Sequence, residues 1–128
     1  MSDTAEFVRT ERPWGSYQVI ELASGYQVKR LEVLPGKRLS YQTHQFRSEH
    51  WYVVRGKGIA TLDGRAFPVE AGVSVDVAIG MAHRVENAGS AVLVLIEVQR
   101  GTYLGEDDIV RIEDDFGRAS LGGAVSAR

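Results

Sequence analysis

Apolar and polar positions along the chain change over in short stretches. Segments 17–22, 26–33, 51–54, 59–62, 73–77, 83–87 and 91–99 are rich in β-branched, aromatic and aliphatic residues, which predicts strands. In 73–77, Val73, Val75 and Val77 alternate with Ser74 and Asp76, the pattern of a half-buried strand. Segments 51–54 and 91–96 are apolar at successive positions, which predicts strands covered on both faces inside a sandwich or barrel. No segment before residue 105 keeps a 3.6-residue apolar period for three turns, so the expected fold class is all-β. Glycines and prolines mostly fall about 8 to 12 residues apart, a spacing that suits antiparallel hairpins. Asp63-Gly64 is the strongest turn signal, because both residues tolerate positive φ. Pro68 then places the strand at 65–69 on an edge or at a bulge.

Composition narrows this picture. A chain of 128 residues and 14.1 kDa, 44% hydrophobic and 25% charged, has material for one domain. Its core is expected over 11–118, with an N-terminal arm at 1–10 and a flexible tail at 119–128. Fifteen Lys and Arg against 17 Asp and Glu leave a net charge of -2, so neither nucleic acid nor an anionic membrane is an expected partner. The apolar run 91–96 falls far short of the roughly 20 residues of a membrane helix. The N-terminal MSDTAEFVRTERP does not read as a signal peptide, and a cytoplasmic protein is expected. With no cysteine, thiolate chemistry and disulfides are excluded, and any metal must use nitrogen and oxygen ligands. The 12 arginines against 3 lysines suit recognition of planar carboxylate or phosphate groups.

Two of the three histidines sit where chemistry is expected. By strand parity Gln42, His44 and Phe46 share one face, Glu49 and Trp51 share a face of the next segment, and His83 follows the turn at Gly80. Two neutral imidazoles and a carboxylate on neighbouring strands suit a divalent ion with open positions. Isolated histidines are ordinarily satisfied polar residues, and here the spacing argues otherwise. The runs Gly36…His44-Gln45-Phe46…Glu49…Gly56 and Gly72…Ala78-Ile79-Gly80…His83…Asn87 resemble the paired motifs of the cupin superfamily, small β-barrels of jelly-roll type.

The strings RPWGSY, VKRLEVLPG, LSYQTHQFRSEHWYVVRG, AHRVEN and LIEVQRGTYLGEDDIVRIEDDFGR further resemble the type II mannose-6-phosphate isomerase domain, over about residues 11 to 118. That domain is best known as the C-terminal half of bifunctional enzymes whose N-terminal half is a GDP-mannose pyrophosphorylase, a half with no counterpart in these residues. A stand-alone cupin is therefore expected. The family's first motif usually reads QxHxHRxEHW, and this chain has Phe46 at the second histidine. A phenyl ring cannot ligate, so the expected metal set is His44, Glu49 and His83, with the amide oxygen of Gln42 as a weak fourth donor. Zinc, manganese, iron, cobalt and nickel are not distinguished.

The resemblance implies interconversion of mannose 6-phosphate and fructose 6-phosphate, which requires a base at C2, an electrophile for the enediolate and cations for the phosphate. Glu97, the one charge in an apolar strand and in phase with Leu93, Leu95 and Gln99, is the expected base, the alternatives being a solvent-facing Glu97 or Glu49 in that role. Arg47, inside the metal motif, is its expected catalytic partner and the first choice for the phosphate, with Lys29, Arg30, Arg84 and Arg12 as further phosphate ligands. Tyr17, Trp51 and Tyr103 are candidates for a sugar pocket, and His50 is expected to point away from the ion. The acidic stretch 105–116 lacks the register of a calcium loop and reads as a cap or hinge. No glycine pattern implies a nucleotide cofactor. A homodimer is expected by analogy with other small cupins. Two rival functions remain open: a non-haem iron oxygenase with a two-histidine, one-carboxylate site, and a non-catalytic sugar-phosphate-binding module.

Overall fold

Alternation dominates the longest strands of the computed structural model, which describes residues 8–118. In β3 (Tyr26–Val33) buried and half-buried residues alternate without a break, sending Gln27, Lys29, Leu31 and Val33 inward. In β5 (Arg47–Arg55) the inward set is Arg47, Glu49, Trp51 and Val53. In β10 (Leu93–Gly101) it is Leu93, Leu95, Glu97 and Gln99. The remaining strands are β1 (Arg9–Arg12), β2 (Gly15–Ala23), β4 (Tyr41–Thr43), β6 (Lys57–Leu62), β7 (Arg65–Glu70), β8 (Ser74–Val77), β9 (His83–Asn87) and β11 (Val110–Glu113).

These form two antiparallel sheets, one ordered β1-β2-β3-β10-β5-β8 and the other β11-β4-β9-β6-β7. The all-β jelly-roll expectation holds, and strands β3 and β9 have the bounds that patterning assigned. Among the described residues no helix is long and apolar enough to cross a membrane. The turn at Asp63-Gly64 joins β6 to β7 with φ of 46° and 84°, and β7, which carries Pro68, lies at a sheet edge. Both follow from local chemistry, since a two-residue hairpin turn of this hand needs positive φ twice and Pro lacks a ladder donor.

Register divides the interior into two ends. β10 lies between β3 and β5, pairing Leu93 with Val33, and Leu95 with Leu31 on one side and Val53 on the other. Further along the same strand, Glu97 pairs with Lys29 and Trp51, and Gln99 with Gln27 and Glu49. One end is therefore an aliphatic core, completed by Ala60, Val69, Val75, Val77 and Val85, while the other is a buried polar chamber.

Three expectations are corrected. Segment 51–54 is not covered on both faces: Trp51 and Val53 are buried, but Tyr52 and Val54 are 45% and 44% exposed on the outer side of the six-stranded sheet. The arm at 1–10 contributes its last residues to β1, which pairs with β2. The stretch carrying Gln42, His44 and Phe46 is not one strand, because β4 ends at Thr43 and the chain bends before β5. Residues 1–7 of the arm and the tail at 119–128 lie outside the described residues.

Candidate metal centre and pocket

The bend at 44–46 separates two side chains that strand parity would place together. His44 is buried, whereas Phe46 is 47% exposed and packs edge-on against Tyr103 at 6.3 Å. The cause is Asp108, whose carboxylate oxygens accept from the backbone N–H groups of Gln45 (2.9 Å) and Phe46 (3.0 Å). Two successive amides held by one carboxylate turn the chain, so the next inward residue is Arg47. Close approach of β10 secures the turn: a Cβ on Gly101 would lie 2.0 Å from the Phe46 carbonyl oxygen.

His44, Glu49 and His83 converge, as expected, with their ligand atoms all within 4.8 Å of one another. His44 Nε2 lies 3.1 Å from Glu49 Oε2, and His83 Nε2 lies 3.7 Å from Glu49 Oε1. Metal bonds of about 2.0–2.2 Å set neighbouring ligand atoms about 3–3.5 Å apart, so these separations suit one ion after small adjustment. The outer nitrogens support the same reading. His44 donates from Nδ1 to the Asp108 carbonyl oxygen (2.6 Å) and His83 from Nδ1 to the Met81 carbonyl oxygen (2.9 Å). Backbone carbonyls only accept, so in both rings Nε2 is the atom left for a ligand. His83 Nε2 is buried with no hydrogen-bond partner among the described residues, an orphaned atom that a metal ion would satisfy. Burial and the charges of His44 and Arg47 lower the His83 pKa despite Glu49, favouring the neutral, ligating form. The donor set thus fits a divalent cation. Gln42 pairs with His83 in register and lines the same pocket, its Oε1 accepting from Ser40 Oγ at 3.1 Å.

Glu97 faces inward. Its Oε2 accepts from Trp51 Nε1 (3.2 Å), which also donates to Glu49 Oε1 (3.0 Å), and its Oε1 accepts from Gln99 Nε2 (2.9 Å). Gln99 in turn accepts from Gln27 at 2.6 Å. Burial pushes the Glu97 carboxyl well above the usual range, and the neighbouring Glu49 charge pushes it further. Burial alone would raise Glu49 too, but the neighbouring His44, His83, Glu97 and Arg47 side chains together hold it well below the usual range. The two neighbouring carboxyls are thus shifted in opposite directions.

Arg47 is buried and grips this cluster, with Nε donating to Glu49 Oε2 at 3.0 Å and Nη2 at 2.9 Å from Glu49 and 3.2 Å from His44 Nε2. Its Nη1 has no partner among the described residues. Lys29 also faces the pocket, over the Tyr17 ring at 4.3 Å and paired with Glu106. Arg12 lines the pocket at its rim, within 3.4 Å of Tyr17 Oη. Arg30 and Arg84 do not join them. Parity turns Arg30 to the outer face, where it pairs with Glu32, and Arg84 to the outside of β9, where it bonds Leu39 O and Glu113. Tyr103 is likewise outside, donating to Asp107, while His50 points outward to Asp76, as expected. The pocket has about 580 Å³ of empty space with its open mouth included.

The acidic stretch does more than cap the domain. Glu106, Ile109 and Arg111 form a wall of the pocket, Arg118 joins them, and Asp108 sets the His44 bend. No spacing rule marks these residues; the only signal was the GEDDIVR string itself.

Comparison with known proteins agrees with this geometry. The profile of the family described as "Mannose-6-phosphate isomerase C-terminal" matches residues 2–114. The chain is 44% identical over 119 residues to the alginate biosynthesis protein AlgA of Pseudomonas aeruginosa, covering 93% of this chain and 25% of that protein. It is 47% identical over 107 residues to a mannose-1-phosphate guanylyltransferase of Salmonella montevideo, covering 84% and 23%. The chain therefore spans about a quarter of the length of these relatives. Among solved structures, a double-stranded β-helix protein of Klebsiella pneumoniae superposes with a TM-score of 0.70 at 18% identity, over 87% of this chain and 95% of that one, a likeness of fold alone. With a family profile matched over nearly its whole length, a jelly-roll fold and the paired histidine and carboxylate motifs in place, the chain belongs to the C-terminal domain family of mannose-6-phosphate isomerases, on a cupin fold.

Proposed function

We propose that this chain is a metal-dependent aldose–ketose isomerase that interconverts mannose 6-phosphate and fructose 6-phosphate. The observation that carries the reading is Glu97: a buried carboxyl joined through the Trp51 indole N–H to Glu49 of a two-histidine ligand set, in one open pocket. Isomerisation needs a group that removes the C2 proton and returns it to C1, and the ionised form of a carboxyl with a raised pKa is a stronger base than an ordinary carboxylate and gives the proton back from its acid form. His44, Glu49 and His83 would hold a divalent ion, which when bound supplies Lewis-acid stabilisation to the substrate's carbonyl and hydroxyl oxygens. Trp51 and Gln99 fix the Glu97 carboxyl by one hydrogen bond to each oxygen, so the proton carrier stays in place through the reaction. Arg47 holds Glu49 and His44 in register. The family and the relatives' roles in mannose phosphate and polysaccharide chemistry support the same substrate class.

The test is C2 proton exchange in heavy water with divalent metal supplied. Deuterium should enter the sugar as fructose 6-phosphate forms, and Glu97→Gln should reduce kcat by roughly 10²-fold or more at similar KM. Absence of both exchange and product with several divalent ions would overturn the reading. One observation favours a second reading, a sugar-phosphate-binding module without turnover: the Arg47 guanidinium lies against both His44 Nε2 and Glu49, where a cation would sit. Saturable sugar-phosphate binding without exchange would support that second reading.

A further inference from the structure

One residue of the acidic stretch reaches His44 by two routes. Asp108, 9% exposed and 64 residues along the chain from His44, accepts from His44 Nδ1 at its backbone carbonyl. Its carboxylate holds the amides of Gln45 and Phe46, the two residues that follow His44. The first contact fixes the tautomer and rotation of the ring, and the second fixes the backbone from which the ring projects. Asp108 is itself set in a turn, its amide donating to the Gly105 carbonyl oxygen at 3.2 Å. The other two ligands are held locally: His83 by the Met81 carbonyl two residues before it, and Glu49 by Arg47 and Trp51 of its own strand. His44 is thus the ligand that depends on a distant segment. That segment, residues 105–118, is held largely by charge. Glu106 pairs with Lys29, Glu113 with Arg84, and Asp115 with Arg38 through two hydrogen bonds of 2.8 and 2.9 Å, the acid of each pair being well exposed. β11 pairs with β4 at Val110–Thr43, Arg111–Gln42 and Glu113–Tyr41 with a break in register, and it leaves Val110 and Ile112 exposed, while Phe116 packs against the core. A short edge strand anchored by exposed ion pairs opens locally at less cost than the barrel unfolds. The same segment gives the pocket Glu106, Ile109 and Arg111.

We propose that Asp108 is a positioning residue that makes metal binding at His44, Glu49 and His83 depend on docking of the 105–118 segment, so that the ion and this wall of the pocket stabilise each other. The proposal rests on the metal site of the isomerase reading, but not on turnover or on the sugar. With the segment docked, His44 presents Nε2 to Glu49. With the segment away, the ring loses its acceptor and the 45–46 backbone both of its anchors, so Glu49 and His83 are left as the preformed part of the site. An ion that binds the docked form more tightly must favour docking by the same factor. The metal therefore closes one wall of the pocket without touching it.

Hydrogen exchange and zinc competition titration on the whole chain test this without turnover. In the wild type, saturating zinc should slow exchange of the Asp108 amide and its neighbours in 106–113 by roughly tenfold or more, while the Gly64 amide, at the exposed β6–β7 turn, should not slow. Asp108→Ala should bind zinc roughly 10-fold or more weakly, and at saturating zinc it should lose the protection of 106–113. Asp108→Asn, which keeps one acceptor oxygen, should fall between the two. Asp107→Asn removes the adjacent charge, whose carboxylate accepts from Tyr103 instead, and should match the wild type on both measurements. The wild-type exchange experiment needs no variant, so it decides the matter if Asp108→Ala fails to fold. Unchanged exchange of 106–113 on zinc binding, or equal zinc affinity in the wild type and the Asp108 variants, overturns the coupling and leaves the metal site standing. Coupling present without C2 exchange removes the isomerase reading alone, and a wild type that binds no zinc overturns both.

Discussion

A histidine ligates through whichever ring nitrogen its other hydrogen bond leaves available, and at His83 that nitrogen is buried with no other partner among the described residues. His83→Ala should therefore remove most of the divalent metal that the untagged protein carries, measured by elemental analysis; equal metal in both forms would dismiss the site. Phe46→His gives the opposite expectation. Although the family motif has a histidine there, residue 46 is turned to solvent by the Asp108 carboxylate, so metal affinity by competition titration should change by less than about threefold, within the usual effect of a surface substitution. Strand parity made His44, Glu49, His83 and Glu97 legible in the sequence because each sits on a strand or directly beside one whose inward face can be counted. It failed at Phe46 because a two-residue bend breaks the period. Arg30 and Arg84 stand out by charge alone, and by parity they lie on the opposite faces from Lys29 and His83.

At the level of elements, the long central strands were readable because aliphatic side chains recur on their inward faces; β1, β4 and β11 were not, since three or four residues, mostly exposed in β1 and β11 and half-buried in β4, carry no period. What holds these short strands is contact remote in sequence. Gly101→Ala, at the end of β10, would press a methyl onto the Phe46 carbonyl, so it should cost stability by about 1–3 kcal/mol in urea unfolding and lower metal affinity by displacing His44. Unchanged values on both counts would show that the bend yields without cost. The C-terminal segment has its own anchor in Asp114, which accepts from Arg118 N (2.6 Å) and Nε (2.7 Å) and from Phe116 N (3.3 Å). Burial would raise its pKa, but the Arg118 side chain and these two amides hold it below the ordinary aspartate value. A folded-state pKa below the unfolded one gives stability that is fully present above the unfolded value and lost as pH falls through the folded value. Asp114→Asn should thus weaken the protein at neutral pH and flatten the loss of stability below about pH 4, the ordinary aspartate range; parallel acid-unfolding curves would refute the anchor.

Over the whole molecule, the two ends of the barrel oppose each other. Leu31, Val33, Val53, Leu93 and Leu95 supply apolar burial, while Lys29, Arg47, Glu49, His83, Glu97 and Gln99 are all at most 7% exposed within the same fold. Buried polar and charged groups cost stability unless every donor and acceptor is matched, and Arg47 Nη1 and His83 Nε2 lack partners among the described residues. The protein therefore holds a pocket that is under-satisfied when nothing is bound, and a ligand cation at His44, Glu49 and His83 should raise global stability by linkage. At 100 times Kd the gain is about 2.7 kcal/mol, which for a domain of this size corresponds to a rise in Tm of roughly 10 °C or more. Calorimetry on chelated protein with metal added back should show this rise, and His83→Ala should abolish it while keeping the same cooperative transition. A shift that persists in His83→Ala would place the ion elsewhere, and no shift at saturating metal would mean that Arg47 already fills the cation's role.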